Sequence, residues 1–119
     1  MDPRLSLIVL RCTNIETTRG FYEACGFTFT REQHGTGPLH YSLTLGDTVL
    51  ELYPASETDI VDRSTRLGFI VPDAKTTTAN LKQAGCEIRK DARVTSRGCE
   101  ALLRDPDGRT VELVTPHAP

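Results

Sequence analysis

The chain has 119 residues, of which 38% are hydrophobic and 25% charged, with a formal net charge of −2. Those values describe one soluble domain, long enough to bury a real core, and give no electrostatic reason to expect nucleic acid or an anionic membrane as a partner. Cys12, Cys25, Cys86 and Cys99 form no Cys-x-x-Cys pair and lack zinc-like histidine spacing, so reduced thiols and a cytoplasmic location are expected; no signal peptide or membrane span is predicted.

In chain order, the β-branched and apolar residues 5–11 predict a strand. Asn14 then offers a side-chain oxygen to the free amides of a helix over about 15–25, and Gly26 supplies the left-handed stop. Strands follow at Phe27–Gln33, Leu39–Leu45 and Thr48–Tyr53, broken by the Gly-rich loop 34–38 and by the turn at Gly46-Asp47. Residues 54–65, rich in Pro, Ser, Thr and Asp, read as the one linker. The signals then recur: a strand at 66–71, Asp73 as cap, a helix at 74–84, Gly85 as stop, and strands near 86–93, 99–104 and 109–115, with Asp105-Pro-Asp-Gly108 as the last turn.

This recurrence is a duplication. A shift of about 60 residues carries Leu7 onto Leu67, Gly26 onto Gly85 and Glu51 onto Glu112. The domain thus divides into a first module over about 5–53, the linker 54–65, and a second module over about 66–115. Alternation assigns faces within each module, because successive strand side chains point to opposite sides of a sheet. Tyr41, Leu43, Leu45, Leu50 and Leu52 are expected under the helices. The opposite face is expected to carry Leu7, Val9, Arg11, His40, Val49, Glu51 and Tyr53 in the first half, and Leu67, Phe69, Val71, Thr110, Glu112 and Val114 in the second. A mid-strand glutamate between apolar residues is the odd feature of each half.

Phe21-Tyr22 on the first helix with Gly26-Phe27 after it, the Val49-Leu-Glu-Leu52 strand, and the closing Asp105-Pro-Asp-Gly-x-x-Val-Glu-Leu113 resemble the vicinal oxygen chelate superfamily, which includes glyoxalase I, bleomycin-resistance proteins and extradiol dioxygenases. The resemblance implies an α+β fold in which two tandem βαβββ modules curve into an open, eight-stranded, barrel-like cleft with helices outside, completed as a homodimer. It also implies a metal site built from one ligand on each module's first strand, usually His, and one on each last strand, usually Glu. Glu51 and Glu112 match the last-strand places; Leu7 and Leu67 stand at the first-strand places and cannot ligate anything. Two carboxylates alone suit a transition metal poorly, since imidazole favours such ions and hard cations need more oxygen donors. The expectation is therefore no metal and no cofactor.

Two readings of function follow. The first is a small-molecule-binding protein of the bleomycin-resistance type, whose cleft of Leu7, Arg11, His40, Glu51, Tyr53, Leu67, Phe69 and Glu112 holds an amphipathic ligand, Tyr53 and Phe69 stacking on its flat parts. The alternative is a divalent-metal lyase, isomerase or dioxygenase with a remodelled site of Glu51, Glu112 and His40. The glutamates are otherwise neutralised by an arginine such as Arg11, Arg104 or Arg109, or lie wet in the cleft. A lone strand histidine such as His40 is more often packed, His34 lies in a loop and His117 in the tail. There is no nucleophile elbow and no phosphate loop, and Cys99 is the one thiol with a chance of facing the cleft.

Overall fold

A computed structural model describes residues 1–119. Its elements run β1 (Leu7–Cys12), α1 (Ile15–Ala24), β2 (Thr30–Glu32), β3 (His40–Leu45), β4 (Thr48–Pro54), β5 (Arg66–Ile70), α2 (Ala74–Gln83), β6 (Ile88–Thr95), β7 (Gly98–Arg104) and β8 (Thr110–Thr115). The fold is α+β, with two βαβββ modules in which the eight strands divide into two four-stranded sheets, ordered β1-β4-β3-β2 and β5-β8-β7-β6. In each, the first strand runs parallel to the last and the remaining pairs are antiparallel, so β1 and β2 edge one sheet and β5 and β6 the other. No strand of one sheet pairs with a strand of the other, which leaves the arrangement open.

The helices begin and end where local chemistry requires. The Asn14 side chain accepts the amides of Glu16 and Thr17, and Asp73 accepts that of Thr76, satisfying donors that have no partner inside a first turn. Gly26 and Gly85 follow the helices at φ +108° and +90°, a conformation that a Cβ disfavours.

Both helices pack on one side of the sheets. Phe21, Tyr22, Leu81 and Ala74 join Leu10, Leu50, Leu52, Leu103, Val111 and Leu113 in a single core that spans the two modules. Residues Phe27 and Phe29, which the sequence places in a strand, turn into this core instead, so β2 is only three residues long. The other face of each sheet is uncovered. On that face Leu7 is 49% exposed and Val9 36% in the first sheet, and Ile70 stands out at 76% in the second. No helix is long and apolar enough to cross a membrane.

A buried polar knot joins the modules. The Asp105 carboxylate, in the turn between β7 and β8, accepts from the Tyr22 hydroxyl at 2.9 Å, the Arg109 amide at 2.9 Å, the Asp107 amide at 3.0 Å and Arg109 Nη1 at 3.1 Å. Arg109 is buried to 1% exposure and also donates from Nη2 to the carbonyl of Arg11 on β1. A buried charge persists only when paired and hydrogen-bonded, and here Tyr22 on α1 and the Arg11 carbonyl on β1 add to the partners within the turn itself. Burial, then the neighbouring Asp105 carboxylate, pushes the Tyr22 phenol far above its ordinary range, so it remains a donor.

Candidate functional site

The uncovered face of the first sheet is built by alternation on its four strands. Pairing sets Val9 beside Glu51 and Arg11 beside Tyr53 across β1 and β4, Ser42 opposite Glu51 across β3 and β4, and Glu32 opposite His40 across β2 and β3. His40 is 1% exposed and lies flat on Tyr53, with ring centroids 4.2 Å apart and planes 9° from parallel. Its Nδ1 is 3.2 Å from the carbonyl of Pro38, a group that only accepts, so Nδ1 carries the proton. In the neutral tautomer that this contact selects, Nε2 carries the lone pair. It faces Glu51 Oε2 at 3.7 Å, Glu32 Oε1 at 3.9 Å and the Tyr53 hydroxyl at 3.4 Å. The Arg11 guanidinium covers the Tyr53 ring at 5.1 Å, and the His34 ring lies 5.2 Å from that of His40.

The corresponding face of the second sheet is electrostatically different. Glu112 is 8% exposed, and its two oxygens are taken by Arg66 Nη2 at 2.7 Å and Arg97 Nη1 at 2.6 Å. Those hydrogen bonds, Arg66 foremost, hold the Glu112 carboxyl below its ordinary range. A carboxylate flanked by two guanidinium groups repels a further cation from its site and has no proton to exchange near neutral pH. Arg97 also reaches Glu100 at 3.2 Å, which extends the ion-pair cluster along β7.

Leu7, Arg11, His40, Glu51 and Tyr53 thus share the open face of the first sheet, and Glu112 lies on that of the second. Leu67 and Phe69 do not. Leu67 is 8% exposed and belongs to the core, and Phe69 packs edge-on against Tyr22 at 6.1 Å and against Phe27 at 4.8 Å. The residues of β5 on the same side as Glu112 are Arg66, Gly68 and Ile70, with Gly68 directly beside it. A slip of one residue exchanges the faces of a strand. The shift from Gly26 to Gly85, one residue shorter than that from Leu7 to Leu67, is the signal that would have placed Arg66 opposite Leu7. Val71 is likewise part of the core.

Other expectations are also corrected. Arg104 pairs with Glu87 at 2.8 Å, Arg109 is bound to Asp105, and Arg11 lies on Tyr53, so none of the three neutralises Glu51 or Glu112. Cys99 packs against the core rather than into the open face. Burial raises the Cys12 thiol and pushes that of Cys25 up to about 12, which marks both as inert fillers. The remodelled triad of Glu51, Glu112 and His40 does not assemble within one chain. The group whose donor atoms do converge is Glu32, His34 and His40, all within 4.8 Å of one another. The close spacing of Glu32, His34 and His40 around one short loop was the overlooked signal, since the loop returns His34 over the β2–β3 pair.

None of the concavities of a single chain is formed by both glutamate-bearing faces. One, of about 450 Å³, lies between the ends of α1 and α2 and includes Phe21, Ala24, Cys86 and Pro106. Another, of about 160 Å³, borders β1 at Val9 and Arg11 and is closed by Ile60 and Asp62 from the linker. The candidate face needs a second surface to become a cleft.

The sequence profile described as Glyoxalase/Bleomycin resistance protein/Dioxygenase superfamily matches residues 4–113. Among solved structures, the chain is similar to TnmS3, an antibiotic binding protein from Streptomyces sp. CB03234, with 25% identity, 98% of each chain covered and a TM-score of 0.76. It is also similar to a glyoxalase/bleomycin resistance protein from the same organism, with 27% identity over 94% of this chain and 100% of the other and a TM-score of 0.70. A virulence protein from Salmonella typhimurium shares the fold at 24% identity, with 98% and 99% of the chains covered and a TM-score of 0.70. No curated sequence matches the chain as a relative.

Proposed function

The chain belongs to the glyoxalase/bleomycin resistance protein/dioxygenase superfamily, and on that premise we propose that it is a small-molecule-binding protein whose ligand lies on the open face of the first sheet, in a cleft closed by a second copy of the chain. The observation that carries this reading is the stacked pair of His40 and Tyr53, flanked by Glu51 and by the exposed Leu7 and Val9. The part of Tyr53 left accessible meets the flat part of a ligand, the carboxylate takes a cationic group, and the aliphatic side chains take an apolar rim. The similarity to TnmS3, an antibiotic binding protein, supports the same ligand class.

Dimerisation is supported by the sheet itself. The edges at β1, β2, β5 and β6 are unpaired, and exposed apolar side chains stand on both open faces. Unpaired edges and apolar patches of this kind are ordinarily covered. The test is calorimetric titration with cationic, aromatic-bearing antibiotics of the bleomycin glycopeptide type, with sedimentation to give the assembly state. Binding that Tyr53→Ala or Glu51→Gln weakens by about tenfold or more is expected, since truncating a central aromatic or charged contact costs about 1–2 kcal/mol. No affinity across such a panel, or a monomer at micromolar concentration, would overturn the reading.

A further inference from the structure

We propose that the β2–β3 hairpin carries a site for one divalent transition-metal ion, with Glu32, His34 and His40 as ligands and the fourth position within reach of Glu51. This inference goes beyond the binding function proposed above and does not rest on it. The donors converge for reasons of register. Glu32 pairs directly across from His40, and His34, in the loop just past the end of β2, brings its ring to 5.2 Å from that of His40. Glu32 offers Oε2 3.9 Å from His34 Nε2 and Oε1 3.9 Å from His40 Nε2, and Glu51 Oε2 is 3.7 Å from that same nitrogen.

Metal–ligand bonds of about 2.0–2.1 Å in a tetrahedral centre hold neighbouring donor atoms roughly 3.3–3.5 Å apart, so donors now within 4.8 Å of one another must close by up to about 1.4 Å to complete the site. That movement falls to His34, whose side chain is 72% exposed and free to swing.

Around His40 the support that a metal ligand requires is already built. Its Nδ1 proton is directed to the carbonyl of Pro38 and its plane is fixed by stacking on Tyr53, so in the neutral ring that binds a metal the lone pair is on Nε2, the nitrogen that faces the two carboxylates. A hydrogen bond from the outer ring nitrogen of a ligating histidine sets the tautomer and raises the basicity of the inner one. Two imidazoles with one or two carboxylates favour Zn²⁺, Ni²⁺ or Co²⁺ and are unsuited to Ca²⁺ or Mg²⁺, which need more oxygen donors. The expectation of no metal was drawn from Leu7 and Leu67; these ligands lie elsewhere, on the hairpin.

The test uses tag-free protein, stripped with chelator and titrated with Zn²⁺ alone, Ca²⁺ as control, and Co²⁺ for its visible spectrum. One equivalent of Zn²⁺ per chain, no heat with Ca²⁺, and a visible Co²⁺ spectrum of tetrahedral intensity are expected. His34→Ala is the decisive variant because its side chain is exposed and the fold does not depend on it; it should weaken Zn²⁺ binding by more than about tenfold. His117→Ala, in the tail, should change nothing. Absence of Zn²⁺ binding, or binding that survives His34→Ala, or binding lost with His117→Ala, overturns the proposal. Antibiotics are absent from every arm, so failure here is distinguishable from failure of the binding function.

Discussion

Glu51 and Glu112 occupy the same place in the two halves, on the last strand of each sheet and beside the first, yet their surroundings have diverged completely. Glu51 faces His40 Nε2 at 3.7 Å, stands opposite Ser42 on β3, and has no arginine on its carboxylate. Glu112 is clamped by Arg66 and Arg97. The turns before these strands differ as well. Asp47, in the first half, makes only a surface ion pair with Arg4, both side chains being about two-thirds exposed at 65% and 68%, whereas Asp105 is buried and ties β8 to α1 and β1. One duplicated unit has thus kept an open, donor-rich face in its first copy and turned its second copy into the anchor. The lesson is electrostatic: descent fixes where a carboxylate stands, and its neighbours decide whether it is available.

The largest test of this contrast is removal of the two turn aspartates. Asp105→Ala strands the buried Arg109 guanidinium, and breaking a buried pair in this way costs about 3–5 kcal/mol. Asp47→Ala removes an exposed ion pair worth less than about 0.5 kcal/mol. Urea denaturation of both variants measures the difference. A loss below about 1 kcal/mol for Asp105→Ala would mean that the knot between modules does not hold them together.

Next in size is the pair Leu67→His and Leu7→His. The substitutions are chemically identical and stand at places that a shift of 60 makes equivalent, but Leu67 is 8% exposed and Leu7 is 49%. Leu67→His exchanges core packing for an unpaired imidazole and should cost about 3 kcal/mol; Leu7→His should change stability by less than about 0.5 kcal/mol. Thermal or urea melts giving equal losses would show that the faces of β5 have been assigned wrongly.

That pair also marks how far the sequence is legible. The helices, their caps, the duplication and the faces of β1, β3 and β4 follow from periodicity and cap chemistry, because Leu10, Leu50 and Leu52 alternate cleanly with polar or exposed neighbours. The run Leu67-Gly-Phe-Ile-Val71 does not alternate, so hydrophobicity alone leaves its face open, and Phe69 was assigned by the wrong shift. Phe27 and Phe29 looked like strand residues and are core wedges, a tertiary override of local propensity. The arginines around Glu112 were illegible for another reason. Arg66 and Arg97 are 46 and 15 residues away in sequence, and long flexible side chains leave no periodic trace of their partners. Glu32 and His34 were legible in principle, but a Gly-rich loop masked their close spacing with His40.

The smallest expected effect separates the two glutamates directly. Arg66 and Arg97 favour the charged form of Glu112, so its folded-state pKa lies below the ordinary value of 4.5. A carboxyl lowered in this way adds stability that is fully present above its unfolded pKa and is lost as pH falls through the folded one. Glu112→Gln should therefore cost about 1 kcal/mol at pH 7, discounted because both arginine partners are more than half exposed, and the cost should shrink below about pH 4.5 until parent and variant coincide. Salt near 0.5 M should reduce it further, since the Debye length then falls to roughly 4–5 Å. Glu51→Gln, with no arginine on its carboxylate, should move stability by less than about 0.5 kcal/mol at pH 7. Urea unfolding of both variants from pH 3 to 8 reads these outcomes. If Glu51→Gln proves the more destabilising of the two, then the second half is not the anchored copy, and the division of labour between the modules is reversed.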